Sequence, residues 1–273
     1  MFRRVASALI LLALVLSGFL FESLAWIPVG LIAIIAVMCT LEIAGMLKRK
    51  GLRVFRRIAS WGVLAMMLEA ALTGMEYSII IFGLAVCLAW VVRMPGEVEG
   101  AWGDISTTCF TMAYVGIPLA AMTTIFLSGG EGKAWLLLMM GIIWTSDSAA
   151  LFVGRKYGTI KMWPKLSPGK TWEGTLGGIG GAVAFAVLAG IFFGDKFPGV
   201  GAVEFVIFAI LFAIIGILGD LAESLLKRDA GVKDSGTELT GHGGFLDLMD
   251  AVLFGALPLL AYIKFFHPGV LGA

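Results

Sequence analysis

The sequence predicts an all-α integral membrane protein with about nine transmembrane helices, its amino terminus cytoplasmic and its carboxyl terminus outside. Three observations point that way. Hydrophobic residues make up 59% of the chain and charged residues 14%, against about 25% charged in an ordinary soluble domain. The mean hydropathy is +0.98, and the apolar residues gather into runs of roughly the 20 residues that a helix needs to cross a bilayer. These runs lack the period-two alternation of a lipid-facing barrel strand, which leaves helices as the spanning element.

Nine runs qualify: about 5–21, 25–47, 58–75, 77–94, 105–127, 134–153, 175–194, 201–222 and 248–266. The first follows Arg3 and Arg4 and precedes a small-residue "SLA", as in a signal peptide; with eight further runs behind it, a retained signal anchor is expected. Basic residues set the orientation. An amino terminus inside puts the cluster "KRKGLRVFRR", Arg93, the cations of 155–170 and those of 227–233 on one side. Only Lys133, Lys196 and Lys264, of 20 basic residues, fall on the other. The richer side is cytoplasmic by the positive-inside rule. We read residues 1–84 as N-terminal transmembrane helices and 85–273 as the region carrying a cytoplasmic-side pocket, within one polytopic unit.

Other features narrow the function classes. The three cysteines, Cys39, Cys87 and Cys109, are dispersed in or beside apolar runs, a pattern of small hydrophobes and not of a zinc site or disulfide framework. A net charge of +1 gives no general attraction to nucleic acid, and none is expected as a partner. Small residues along several runs are compatible with a homodimer.

Two connections differ from the rest by mixing cations with acids, glycines and hydroxyls. In "GDLAESLLKRDAGVKDSGTELTGHGGFLDLMD", helical spacing puts Asp220, Ser224 and either Lys227 or Arg228 on one face. Lys233 and Asp234 follow. "GHGG" then precedes the last run, where glycine backbone and a helix start can present amides to an anion, with His242 and Gly243 in the turn. Asp247 and Asp250, three apart, share a face of the next helix. Carboxylates are costly in a bilayer and face a cavity or a partner. Asp220 ends one run and Asp247 starts the next, so their repulsion calls for a cation between them, and magnesium with substrate phosphates is the economical choice.

The other connection begins with Asp147 inside the sixth run and ends in "SPGKTWEG", which supplies Ser167, Lys170, Thr171 and Glu173 at the mouth of a helix. Gly169, Lys170 and Thr171 match the end of a P-loop, but Pro164 stands where its first glycine belongs, so that nucleotide motif is rejected. The pairs Gly174/Gly178 and Gly177/Gly181 read as close helix packing.

The stretch from Ser224 to Asp250 resembles the signature of the phosphatidate cytidylyltransferases: S-x-x-K-R, four residues, K-D, then H-G-G, a hydrophobic residue, one residue, D and a final D. "SPGKTWEG" and residues 147–158, with Arg155, resemble that family's second block. Two positions depart from the usual pattern: Leu248 stands where the family has Arg, and Thr240 where it has Pro. The resemblance implies transfer of CMP from CTP to phosphatidic acid, giving CDP-diacylglycerol and pyrophosphate, at a cytoplasmic-side site of a bacterial inner membrane. It implies Asp220 and Asp247 as ligands of Mg2+, with room for a second cation, and Lys227, Arg228 and Lys233 as phosphate neutralisers, with Asp234 beside them. Ser224, His242, Gly243, Asp250, Ser167, Lys170, Thr171, Glu173, Asp147 and Arg155 would bind substrate. Two alternatives remain at this stage. A CTP-dependent lipid kinase would use similar chemistry on a lipid alcohol, and a transporter would carry intramembrane acids such as Glu42, Glu69, Asp147 and Asp220. A transporter built on repeats would show two related halves, whereas the polar residues here concentrate in the second half.

Overall fold

The structure, a computed structural model, describes residues 17–236 and 243–272. Residues 17–20 are helical, and nine further α-helices lie within the described residues: α1 (Trp26–Arg49), α2 (Arg56–Thr73), α3 (Ser78–Arg93), α4 (Ala101–Thr111), α5 (Ile117–Leu127), α6 (Gly130–Tyr157), α7 (Trp172–Phe193), α8 (Ala202–Asp229) and α9 (Phe245–Phe266). Helices α4 and α5 form one continuous span joined by a π-helical turn, Met112–Gly116. Pro118 explains the irregularity, since it lacks the N–H that would close the preceding turn.

Eight of the nine apolar runs coincide with these helices, and most of the first lies outside the described residues. Among the described residues six segments are long and apolar enough to cross a membrane: Glu22–Arg49, Ala101–Leu127, Gly130–Tyr157, Trp172–Lys196, Ala202–Asp229 and Phe245–Phe266. Helix α3 is apolar but has 16 residues. Helix α2 carries Arg56, Arg57 and Glu69 within 18 residues and is correspondingly less apolar.

One element departs from the all-α expectation. After α6 the chain forms an antiparallel hairpin, β1 (Lys161–Trp163) with β2 (Ser167–Thr171), pairing Lys161 with Thr171 and Trp163 with Ser167. Its strands are too short to leave a periodic signal. Thr171 ends β2 and caps α7, its Oγ1 accepting from the Gly174 amide at 3.1 Å. The hairpin is thereby tied to the start of α7.

The expected glycine packing is present where α7 crosses α6. A Cβ on Gly178 would lie 2.8 Å from the Ser146 carbonyl oxygen, and one on Gly181 would lie 2.7 Å from the Ala149 Cβ. These approaches hold two backbones together, and the cavity described below is lined from both helices. Gly178→Val is therefore expected to cost about 1–3 kcal/mol through overpacking, whereas Gly180→Val, where nothing lies within 4 Å, is expected to be tolerated. Unfolding midpoints of the two variants in detergent check this.

At the far end of the bundle Trp135 is 1% exposed and packs edge-on against Phe197 and Tyr262. Glu204 at the start of α8 accepts from the Tyr262 hydroxyl and lies 2.8 Å from His267 Nε2. His267, which follows α9, is thus a clasp between the start of α8 and the end of α9.

Candidate functional site

The last two turns of α8 and the first turn of α9 meet beside the β-hairpin. Spacing of three and four residues places Asp220, Glu223, Ser224 and Lys227 along one face of α8. Lys227, and not Arg228, is the cation of that face. Its Nζ lies 2.5 Å from Glu223 Oε2 and 2.5 Å from Asp247 Oδ1. From the hairpin, Lys170 reaches across to Asp220, with Nζ 2.7 Å from Oδ2. Ser224 Oγ donates to Asp220 Oδ1 at 3.3 Å.

Asp247 also holds its own helix terminus. Its Oδ2 accepts from the Gly244 amide at 2.7 Å and from the Ser235 amide at 3.0 Å. Gly243, two residues before α9, makes room for this: its φ is +82, a backbone that side chains disfavour, and a Cβ there would lie 2.4 Å from Asp247 Oδ2.

A cavity of about 510 Å³ opens among these groups. Eight residues expected from the sequence line it: Asp147, Ser167, Lys170, Thr171, Asp220, Lys227, Asp247 and Asp250. They come from α6, β2, α8 and α9. Glu223, which the sequence reading passed over, also lines it. Its place four residues before Lys227 was the available signal.

The remaining expected residues are not part of this lining. Lys233 and Asp234 line a neighbouring cavity of about 480 Å³, together with Glu42, Arg49 and Ser235. Arg228 is exposed and donates to the backbone carbonyls of Leu166 and Val232 at 3.4 and 3.3 Å. Arg155 is exposed at the end of α6. Glu173 turns away from the cavity to accept from the amides of Thr159 and Ile160, each at 3.1 Å, and from the Thr159 hydroxyl. It braces the entrance to the hairpin. His242 and Thr240 lie outside the described residues.

The charge balance of the larger cavity is lopsided. Lys170 is committed to Asp220, and Lys227 to Glu223 and Asp247. Asp147 makes no ion pair among the described residues. Asp250 spends Oδ1 on the Ala251 amide at 2.6 Å, and it lies within electrostatic reach of both Asp220 and Asp147. Glu223 is 0% exposed, and its Oε1 has no hydrogen-bond partner among the described residues. Five carboxylates thus face two lysines, a surplus that fits a bound cation. Among the described residues no three His, Cys, Asp or Glu side chains already converge as a metal site. Asp220 and Asp247, the acids expected to share a metal ion, each pair with a lysine of their own.

Leu248 is 54% exposed and lies off the cavity lining. An arginine there would start from the outer face of α9. Leu248→Arg is accordingly expected to change the catalysed rate by less than about threefold, as surface changes usually do, which a direct rate comparison checks.

These features define a polytopic membrane protein with a lysine- and carboxylate-lined cavity at one end of its helix bundle, suited to phosphate groups and cations. The profile described as the cytidylyltransferase family matches residues 2–266. The chain belongs to that family. It is 42% identical over 137 residues to the phosphatidate cytidylyltransferase of Haemophilus influenzae, a match covering 50% of this chain and 47% of that protein. With the protein of the same name from Bacillus subtilis it is 33% identical over 188 residues, 69% of this chain and 68% of the other. With that from Mycobacterium tuberculosis it is 32% identical over 185 residues, 64% and 55%. The matches therefore span about half to two thirds of the length of these relatives.

Proposed function

We propose that this chain transfers CMP from CTP to phosphatidic acid, forming CDP-diacylglycerol and releasing pyrophosphate. The observation that carries the reading is the single cavity in which Lys170–Asp220 and Lys227–Asp247 meet, in a chain of this family. Both substrates are polyanions, so the task is to hold them together against their repulsion, and positioning with charge stabilisation does most of the catalysis.

The lipid phosphate is already anionic at neutral pH and acts as nucleophile. Its oxygen forms a bond to the α-phosphorus of CTP as the bond from that phosphorus to the β-phosphate bridge oxygen breaks. The electron pair leaves with pyrophosphate. Lys170 and Lys227 exchange their carboxylate partners for phosphate oxygens as substrates arrive, and Arg228 and Lys233 neutralise charge at the rim. Ser167 and Thr171 offer hydroxyls to phosphate, and Ser224 keeps Asp220 oriented.

The carboxylate surplus and the orphaned Glu223 oxygen suit a hard divalent ion. Asp220 and Asp247 are the expected holders of Mg2+, freed as their lysines turn to phosphate, with Asp147 and Asp250 adding charge that favours a second cation. When bound, magnesium supplies charge neutralisation across the CTP phosphates. The site faces the cytoplasm of a bacterial inner membrane, with the nine-run topology, a cytoplasmic amino terminus and an outer carboxyl terminus. Residues 85–273 carry the chemistry and 1–84 support it. A homodimer is part of the same proposal.

Product analysis tests the reaction. Purified protein in detergent is given phosphatidic acid, magnesium and CTP labelled at the α-phosphate. The expected result is labelled lipid and an equal amount of pyrophosphate. Label released as CDP, with an unlabelled phosphorylated lipid, would establish a lipid kinase instead.

A further inference from the structure

The acid that fixes the catalytic end of α9 comes from the opposite end of the sequence. Glu42 lies in α1 and is 7% exposed. Its Oε1 accepts from the Phe245 amide at 2.7 Å, and its Oε2 accepts from the Leu246 amide at 2.9 Å. These are the first two amides of α9, which have no partner within their own helix. A carboxylate there satisfies both donors and meets the positive end of the helix dipole.

Glu42 also reaches the loop before α9. Ser235 Oγ lies 2.8 Å from Glu42 Oε2 and 2.9 Å from Asp247 Oδ2. A hydroxyl has one proton, and the Ser235 amide already donates to Asp247. The economical assignment gives the hydroxyl proton to Glu42 and the amide proton to Asp247, so that Ser235 links the two carboxylates. Gly244 completes the arrangement. A Cβ at that position would stand 2.2 Å from Ser235 Oγ and 2.4 Å from Glu42 Oε2, so only glycine admits both groups.

We infer that Glu42 is a positioning residue for the reaction. Through α9 and Ser235 it sets the place of Asp247, and through Asp247 that of Lys227. This rests on the cytidylyl-transfer reading for its kinetic arm. It makes α1 a working part of the site, which no residue spacing in the signature reveals. An intramembrane acid that would suit a transporter is here fully engaged in holding a helix start.

The molecule contains its own control. Glu69 of α2 is also buried and also holds a helix start, accepting from the Tyr77 amide at 2.7 Å and from the Ser78 hydroxyl at the beginning of α3. Its hydrogen bonds among the described residues go to Thr73, Tyr77 and Ser78, none of which lines the cavity. Glu42→Gln keeps the shape but sets an NH2 group against one of the two amides it should accept from. Glu69→Gln makes the equivalent change away from the site.

The experiment measures kcat and KM for both substrates, together with hydrogen exchange of the amides at 235 and 244–246. Glu42→Gln is expected to lower kcat at least tenfold with each KM within about threefold of the parent, the pattern of a lost transition-state arrangement. Exchange at those amides is expected to rise at least tenfold. Glu69→Gln is expected to keep the parental kcat and the parental exchange at those amides. The inference is overturned if folded Glu42→Gln keeps kcat within twofold, if Glu69→Gln loses as much, or if exchange at 235 and 244–246 is unchanged. A parent that transfers no CMP would sink the reaction assigned above and leave the exchange comparison to decide the role of Glu42.

Discussion

Lys227→Met is expected to be the most destabilising single change at the site. The lysine side chain is 12% exposed and lies against Glu223 at 0% and Asp247 at 13%. Removing one partner of a buried ion pair leaves the other charge uncompensated, at a cost of about 3–5 kcal/mol. Asp247 keeps its backbone donors, so the greater penalty falls on Glu223. The double variant Lys227→Met/Glu223→Leu should therefore recover at least half of the lost unfolding midpoint, because an apolar pair of similar volume is often no worse than the ion pair. Thermal unfolding in detergent checks both variants. Activity should return in neither, since the cation proposed to meet phosphate is gone from both.

Lys170→Met is expected to separate catalysis from stability. Its pair with Asp220 is more open, at 20% and 34% side-chain exposure. Solvent screening limits such a pair to about 1 kcal/mol or less. Loss of a cation aimed at developing phosphate charge typically costs about 10²–10³ in rate. The expected outcome is a near-parental unfolding midpoint with label transfer reduced at least a hundredfold. Steady-state rates and a melting curve on one preparation measure both quantities.

The contrast between these lysines shows how much of the site was legible in the sequence. Asp220, Ser224 and Lys227 could be put on one face because helix geometry fixes which residues are neighbours along α8. The helix spans were legible for the same kind of reason: apolar runs of membrane length leave the backbone little choice. Their usable length was less so, because α2 and α3 are apolar in the sequence yet shorter or more charged than the other spans. The Lys170–Asp220 pair could not be read, since it depends on how the hairpin folds back over α8. From spacing alone the two carboxylates face each other bare, whereas each has a lysine partner in the fold. The hairpin escaped because strands of three and five residues carry too few positions to display a period. Glu173 illustrates the same limit. Its place in "KTWEG" suggested a wall of the pocket, but the turn at Thr159 and Ile160 offers it amides on the outer side. Glu42 lies some two hundred residues from the amides it holds, beyond any spacing rule.

The central claim is that acids at the adjoining ends of α8 and α9 serve one reaction centre. The most direct measurement is transfer of labelled CMP to phosphatidic acid by Asp220→Asn, Asp247→Asn and the double variant, beside the parent. One centre means that each single variant falls at least a hundredfold and that the double falls less than about tenfold further, because residues acting as a unit are not additive. A folded single variant that forms labelled lipid at the parental rate, or a double variant whose loss is the product of two independent losses, would contradict it.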